Sequence, residues 1–401
     1  MRPPGPEPVT LHPRALLRQW RRMQRDPLQR VRERFERYGD VYRIAFLERE
    51  RFVLRHPEHL RQVLIEQASC FEKPSTGPAA RQLQRFLGQG LLTSDGELWR
   101  RQRRLIQPAF QRDQLSAYAD VVVAESERVA GELRDGQQLD LSARMMQLTF
   151  QIVTACLFGR DASSETERVA DAMRVFRETF DGVAAIAPRW LPTPSGLRAQ
   201  RSLRDLDRLM FSWIDAPTQR DQDALLSRLT RSLDGDAAGM GRRQLRDELL
   251  TLLLAGHETT SHALSWSFYL LAQHPECESR LHAELDGVLG GRAPRWDDLP
   301  ALRYAEQVLS EALRLYPPAY VVLRTSKQPA RVAGYDVPVG TDMVLWIYHT
   351  HHDPRWHAEP ERFVPERFAP ERRRALPDCA YLPFGAGTRT CIGKSFALME
   401  A

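Results

Sequence analysis

Lysine is almost absent from this chain. Three lysines stand among 57 basic residues, so nearly all the positive charge is arginine, a bias that reflects genome composition rather than a binding task. The net charge of +5 is spread along the sequence with no basic low-complexity tail, which gives no reason to expect nucleic acid and leaves room for an acidic partner. Cysteine is scarce as well. The five residues Cys70, Cys156, Cys277, Cys379 and Cys391 are odd in number and scattered, which argues against a disulfide framework and an iron–sulfur spacing and points to a reducing cytoplasm. The N-terminal stretch lacks an apolar core of signal-peptide length. The longest oily run, LLTLLLAGHETTSHALSWSFYLLA, is interrupted by His257, Glu258 and His262. Such groups are costly in a bilayer, so no transmembrane segment is expected. Repeats and long linkers are missing too.

What the sequence has is helical periodicity. Alternation in VYRIAF and RFVL marks short strands over 41–54, and from Pro57 to about Leu285 the pattern is helical almost throughout. SDGELWRRQRRLIQPAF opens with a Ser-Asp cap and ends at Pro108, and residues 246–274 would make a helix of about 43 Å. Segments 187–196 and 233–241 read as loops on their Pro and Gly content. Short strands follow in AYVVLRT and VAGYDVPVGTDMVLW. The expected architecture is mainly α with a small β-sheet region, as a single domain over 1–401.

Two stretches carry chemistry. AGHETTSH (255–262) places an acid and two histidines in an apolar helix. A zinc helix of the H-E-x-x-H kind needs its histidines four apart, on one face. Here His257 and His262 are five apart, so they point ~140° from each other and cannot grip one ion. The histidines His349, His351, His352 and His357 lie in a Pro- and Trp-bearing coil without cysteine partners and read as surface residues. The second stretch, FGAGTRTCIG (384–393), spaces Phe384, Gly387, Arg389, Cys391 and Gly393 as a glycine-rich loop that presents one cysteine at a helix start. Glycines let the backbone turn tightly and approach a large ligand, and backbone amides favour a thiolate. A single thiolate held in this way suits axial ligation of haem iron.

On these residues the chain resembles the cytochrome P450 (haem-thiolate monooxygenase) family, soluble bacterial type. The match extends to an E-x-x-R element (Glu311, Arg314), a P-E-R-F segment carrying Arg367, a W-x-x-x-R element (Trp99, Arg103) and the AGHETT segment itself. The resemblance implies the P450 fold and haem b as cofactor, with Cys391 as axial ligand to the iron. It implies a buried charge network of Glu311, Arg314 and Arg367. It places Trp99, Arg103, Arg324 and Arg389 on the haem propionates and leaves Arg100, Arg101 and Arg104 to solvent. Gly256 would allow close approach to the porphyrin, Glu258 and Thr259 would form the acid–alcohol pair that feeds protons to the oxygen site, and His257 would face away.

The implied reaction is R–H + O2 + 2 e⁻ + 2 H⁺ → R–OH + H2O. Electrons would come from a separate ferredoxin or flavodoxin with its NAD(P)H-dependent reductase, docked through basic residues around 100–112. The pocket would be built from 74–92, 175–200, 252–259 and 319–323, all rich in apolar side chains, for a lipophilic substrate such as a terpenoid, carotenoid, fatty acid or xenobiotic. Family members usually run several dozen residues past the cysteine, through the rest of the last helix and a terminal β-hairpin, whereas this chain stops at Ala401. That gives an alternative expectation, a haem-binding protein without turnover. A haem-thiolate isomerase or peroxide-driven enzyme is a third reading, disfavoured by the intact Glu258–Thr259 pair.

Overall fold

A computed structural model describes residues 1–6, 26–46, 49–181, 194–215, 224–231 and 240–401. Most of the expected loops at 187–196 and 233–241 lie outside the described residues, as does the middle of the expected pocket segment 175–200. The chain divides into two compact units, Met1–Pro74 with Gln307–Cys391, and Ser75–Glu306 with Ile392–Ala401.

The first unit holds the β-structure. Strands β1 (Val41–Phe46), β2 (Arg49–Leu54), β3 (Phe71–Glu72), β4 (Val322–Ser326) and β7 (Asp342–Leu345) form one sheet in the order β1-β2-β7-β4-β3. Strand β2 runs parallel to β7, with Phe52 opposite Met343, and the other pairs are antiparallel. Strands β5 (Ala330–Val332) and β6 (Tyr335–Val337) make a separate hairpin. Phe52, Val53 and Leu54 are buried without interruption because the sheet is covered on both faces. Phe52 and Leu54 pack with Leu60, Met343 and Leu345, whereas Val53 joins Tyr42 against Val31 and Phe35 of the helix Pro27–Tyr38. Asp26 caps that helix by accepting from the Gln29 N–H at 2.9 Å.

The second unit is helical, and its axis is the long helix Arg242–Gln273. Thirty-two residues at 1.5 Å each span about 48 Å, close to the length read from the sequence. Leu245 to Leu254 are buried in an unbroken run, which suits a helix enclosed on all sides. Helix Leu141–Phe158 is its main neighbour and contributes Phe150, Ile152, Val153 and Leu157 to the core. That neighbour is long and apolar enough to cross a membrane by composition, yet most of it is buried against other helices of the unit. Helix Gly96–Ile106 begins at Asp95, whose carboxylate accepts from the Gly96 N–H at 2.6 Å. The last helix, Lys394–Glu400, inserts Phe396 edge-on against Phe110 and Tyr118.

Candidate functional site

In the first unit the cysteine loop is fixed by its own backbone. The Cys391 N–H donates to the Phe384 carbonyl at 2.9 Å, and the Gly385 N–H donates to Leu382 at 3.1 Å. Gly387 has φ +69°, and a Cβ there would lie 2.0 Å from the Leu64 carbonyl oxygen, so only glycine fits. The Thr390 hydroxyl donates back to the Gly387 carbonyl at 2.7 Å. The outcome is a cysteine held at both ends of its loop and exposed. Arg389 is half-buried in the same turn, and Arg324 is buried on β4, donating to the Leu323 carbonyl at 2.8 Å.

Behind the loop, the structure brings Glu311, Arg314 and Arg367 together. Arg314 grips Glu311 through Nε at 2.7 Å and Nη2 at 2.8 Å, and neither residue has any exposure. The remaining guanidinium protons reach the carbonyls of His351, Pro360 and Arg362, so all five donors are engaged. Arg367 Nε and the Val364 N–H both donate to Glu311 Oε1, at 3.1 and 3.0 Å. Burial holds the Arg367 pKa below its ordinary value.

The histidine cluster corrects the sequence reading. His349, His351, His352 and His357 are buried, not surface residues. Ile347 and Thr350, interleaved with them, are fully buried too, and that mixture in IYHTHH was the signal that sequence reasoning passed over. The His351 Nε2 accepts from the Leu382 N–H at 2.8 Å, which makes the ring neutral with its proton on Nδ1. His357 Nε2 lies 3.3 Å from the Ala380 carbonyl, so this histidine also secures the coil entering the cysteine loop. Burial lowers all four pKa values: His349 to about 3, His352 and His357 to about 4, and His351 well below the usual range. Among the described residues no cluster has a metal-ligand arrangement; His351 and His357 tie the coil at 380–382 through their rings.

The second unit carries the AGHETT segment in mid-helix. Ala255 and Thr259 are exposed, one turn apart on one face, while His257 on another face is buried edge-on to Phe150. Thr259 Oγ1 donates to the Ala255 carbonyl at 2.6 Å. The His257 carbonyl accepts from Thr149 Oγ1 at 2.9 Å, a tie to helix Leu141–Phe158. Gly256 answers to that same neighbour. A Cβ on it would lie 2.9 Å from Val153 Cγ2, so helix–helix packing also asks for a small residue here. Trp99 and Arg103 stand together on helix Gly96–Ile106, with the guanidinium 5.8 Å from the indole centroid. Arg100 and Arg104 are exposed as expected, whereas Arg101 is half-buried. Gly393 has room for a side chain at ordinary contact with Phe110.

Sequence reasoning missed a buried polar group near the start of the long helix, Arg246, Asp247 and Glu248, together with Gln102. Three consecutive charged residues at the head of an otherwise apolar helix were the available signal.

Comparison with known sequences completes the picture. The sequence model described as Cytochrome P450 matches residues 3–401. The chain belongs to the cytochrome P450 family. It is 36% identical to Cyclooctatin synthase of Streptomyces melanosporofaciens, over 99% of this chain and 86% of that protein. It is 35% identical to Pentalenene oxygenase of Streptomyces avermitilis, over 99% of this chain and 87% of the relative. Cytochrome P450 97B1 of Pisum sativum is 32% identical over 92% of this chain and 78% of its own length. This P450 is therefore a haem-thiolate monooxygenase whose cofactor is haem b. The donor set suits that group: an exposed cysteine stands on a backbone-fixed loop, and a single thiolate is a ligand for haem iron.

Proposed function

We propose that this P450 hydroxylates a lipophilic, terpenoid-like hydrocarbon skeleton, with electrons delivered by a ferredoxin or flavodoxin and its NAD(P)H-dependent reductase. The observation that carries this reading is the exposed Cys391 on a loop whose backbone is immobilised by Phe384 and Gly387. The two Streptomyces relatives, named Cyclooctatin synthase and Pentalenene oxygenase, favour a terpenoid over a fatty acid.

In this reading Cys391 would hold the haem iron through its thiolate, Trp99, Arg103, Arg324 and Arg389 would hold the propionates, and Phe384, Gly387 and Gly393 would shape the cysteine loop. Bound haem supplies dioxygen activation and the oxidising power for C–H hydroxylation. The protein's part is to orient substrate, exclude water and deliver protons. Thr259 Oγ1, now donating to the Ala255 carbonyl, can rotate to donate towards the face it shares with Ala255. The carboxylate of Glu258, the adjacent half-buried acid, passes protons inward and restores the Thr259 proton after each transfer. Arg100 and Arg104, exposed on their helix, offer positive charge to an acidic electron donor.

The test is reconstitution of the haem-loaded protein with ferredoxin, reductase and pentalenene, following NAD(P)H consumption and product. Hydroxylated product with a rate that falls as salt rises is expected. Hydroxylation of fatty acids in preference to terpenoids would overturn the substrate class, and a rate indifferent to ionic strength would overturn the docking charge. The reading without turnover finds no support, since these relatives carry enzyme names.

A further inference from the structure

A groove of about 320 Å³ lies between helices Thr166–Asp181 and Pro194–Asp215 of the second unit, lined by four arginines and three acids. The acids are all committed. Asp171 pairs with Arg174 at 2.6 Å, and Glu178 faces Arg198 at 4.0 Å. Asp205 pairs at 2.9 Å with Arg208, which does not line the groove. Arg168 and Arg201 are left over. Among the described residues neither joins an ion pair or a hydrogen bond, so two guanidinium groups, one from each helix, open on one concavity without a counter-charge.

Arginine in place of lysine is general in this chain, so residue type carries no weight here and placement does. Arg168 is the third residue of its helix, where the macrodipole disfavours a cation and favours an anion. Between the charges the groove has an apolar floor, with Ala172 buried and Val175 half-buried, and Ser202 adds a half-buried hydroxyl. That lining suits a ligand with one doubly charged end and a small carbon body. A phosphate monoester offers three terminal oxygens and close to two negative charges, enough to engage two guanidinium forks. A carboxylate offers only two oxygens and one charge. The volume is at the low end for small-molecule sites, which limits the carbon body to about one ring or a short chain.

We propose that this groove is a binding site for a small organic phosphate monoester. Arg168 and Arg201 hold its phosphoryl oxygens, and its carbon body lies against Ala172 and Val175. The bound ester joins the two helices through one charge centre. This site is independent of the monooxygenase reading above.

The experiment uses haem-loaded full-length protein with phenyl phosphate as the probe, followed by calorimetry at low ionic strength. Saturable binding with a Kd of about 0.1–1 mM is expected. Arg168→Gln and Arg201→Gln should each raise that Kd about tenfold. Arg204→Gln removes an exposed arginine of the same helix that does not line the groove, and should stay within about twofold of the parent. All three replaced side chains are exposed, so the variants keep the parent's packing. Inorganic phosphate, without a carbon body, should bind about fivefold more weakly. On saturation with phenyl phosphate, amide exchange should slow over 168–178 and 198–205. Binding weakened alike by all three substitutions would reveal a diffuse charge effect and overturn the proposal. So would the lack of saturable binding below about 10 mM, inorganic phosphate bound as tightly as the ester, or protection confined to other segments.

Discussion

Arg314 holds Glu311 in a two-pronged ion pair with both side chains fully buried, and its three other guanidinium protons reach backbone carbonyls 37 to 48 residues downstream. One side chain thus fastens a helix to the long coil that precedes the cysteine loop. Removing it strands a buried carboxylate as well as three carbonyls. Arg314→Met should cost about 3–5 kcal/mol, read as a lowered denaturation midpoint and loss of haem loading. Arg314→Lys should fail nearly as badly, because an ammonium lacks the fork geometry.

His351 extends the same tie towards the cysteine. Its carbonyl accepts from Arg314 and its ring accepts from the Leu382 N–H, two residues ahead of Phe384. His351→Phe fills the space but leaves that N–H without an acceptor. A loss of about 1–3 kcal/mol is expected. Equilibrium unfolding of the variant checks it, and a stability equal to the parent's would show the bond to be dispensable.

The charge network and the cysteine loop were legible in the sequence because each is a local spacing, E-x-x-R or a glycine-rich decapeptide, whose meaning survives without coordinates. The histidines were misread for the opposite reason. Their burial comes from the helix Pro27–Tyr38 and the coil at 377–382, segments distant in sequence that no local pattern announces. For Gly256, a glycine in AGHETT signals close approach, and only the fold shows that Val153 is one of the groups that approach. Asp247 and Glu248 were hidden because a charged pair near a helix start ordinarily means a solvated end.

Gly256 gives a clean test of that packing. Gly256→Ala places a methyl 2.9 Å from Val153 Cγ2 and should destabilise by about 1–3 kcal/mol through overpacking. Adding Val153→Ala should recover part of the loss, a coupling visible in a double-mutant cycle of unfolding free energies.

The two units should respond to pH in opposite directions. The buried histidines of the first unit have pKa values below that of an unfolded histidine, so the neutral form is the folded one. Their contribution is complete above about pH 6.5 and is lost as pH falls towards about 4. In the second unit burial raises Glu248 to about 7 and Glu400 to about 8. These acids favour the fold below about pH 4.5 and weaken it as pH rises through those values. For Glu248 the swing is about 3 kcal/mol, so Glu248→Gln should narrow the stability difference between pH 5 and pH 8. Hydrogen exchange corrected for intrinsic rates, followed region by region from pH 4.5 to 8, checks both signs.

The central claim is that Cys391 carries the catalytic iron. Its most direct measurement is the reduced, CO-bound absorption spectrum of the haem-loaded parent and of Cys391→Ser, prepared alike. The parent should show the strongly red-shifted Soret band of a thiolate ligand, and the variant should lose it along with hydroxylation. A serine variant with the parent's band would place the ligand elsewhere and contradict the account.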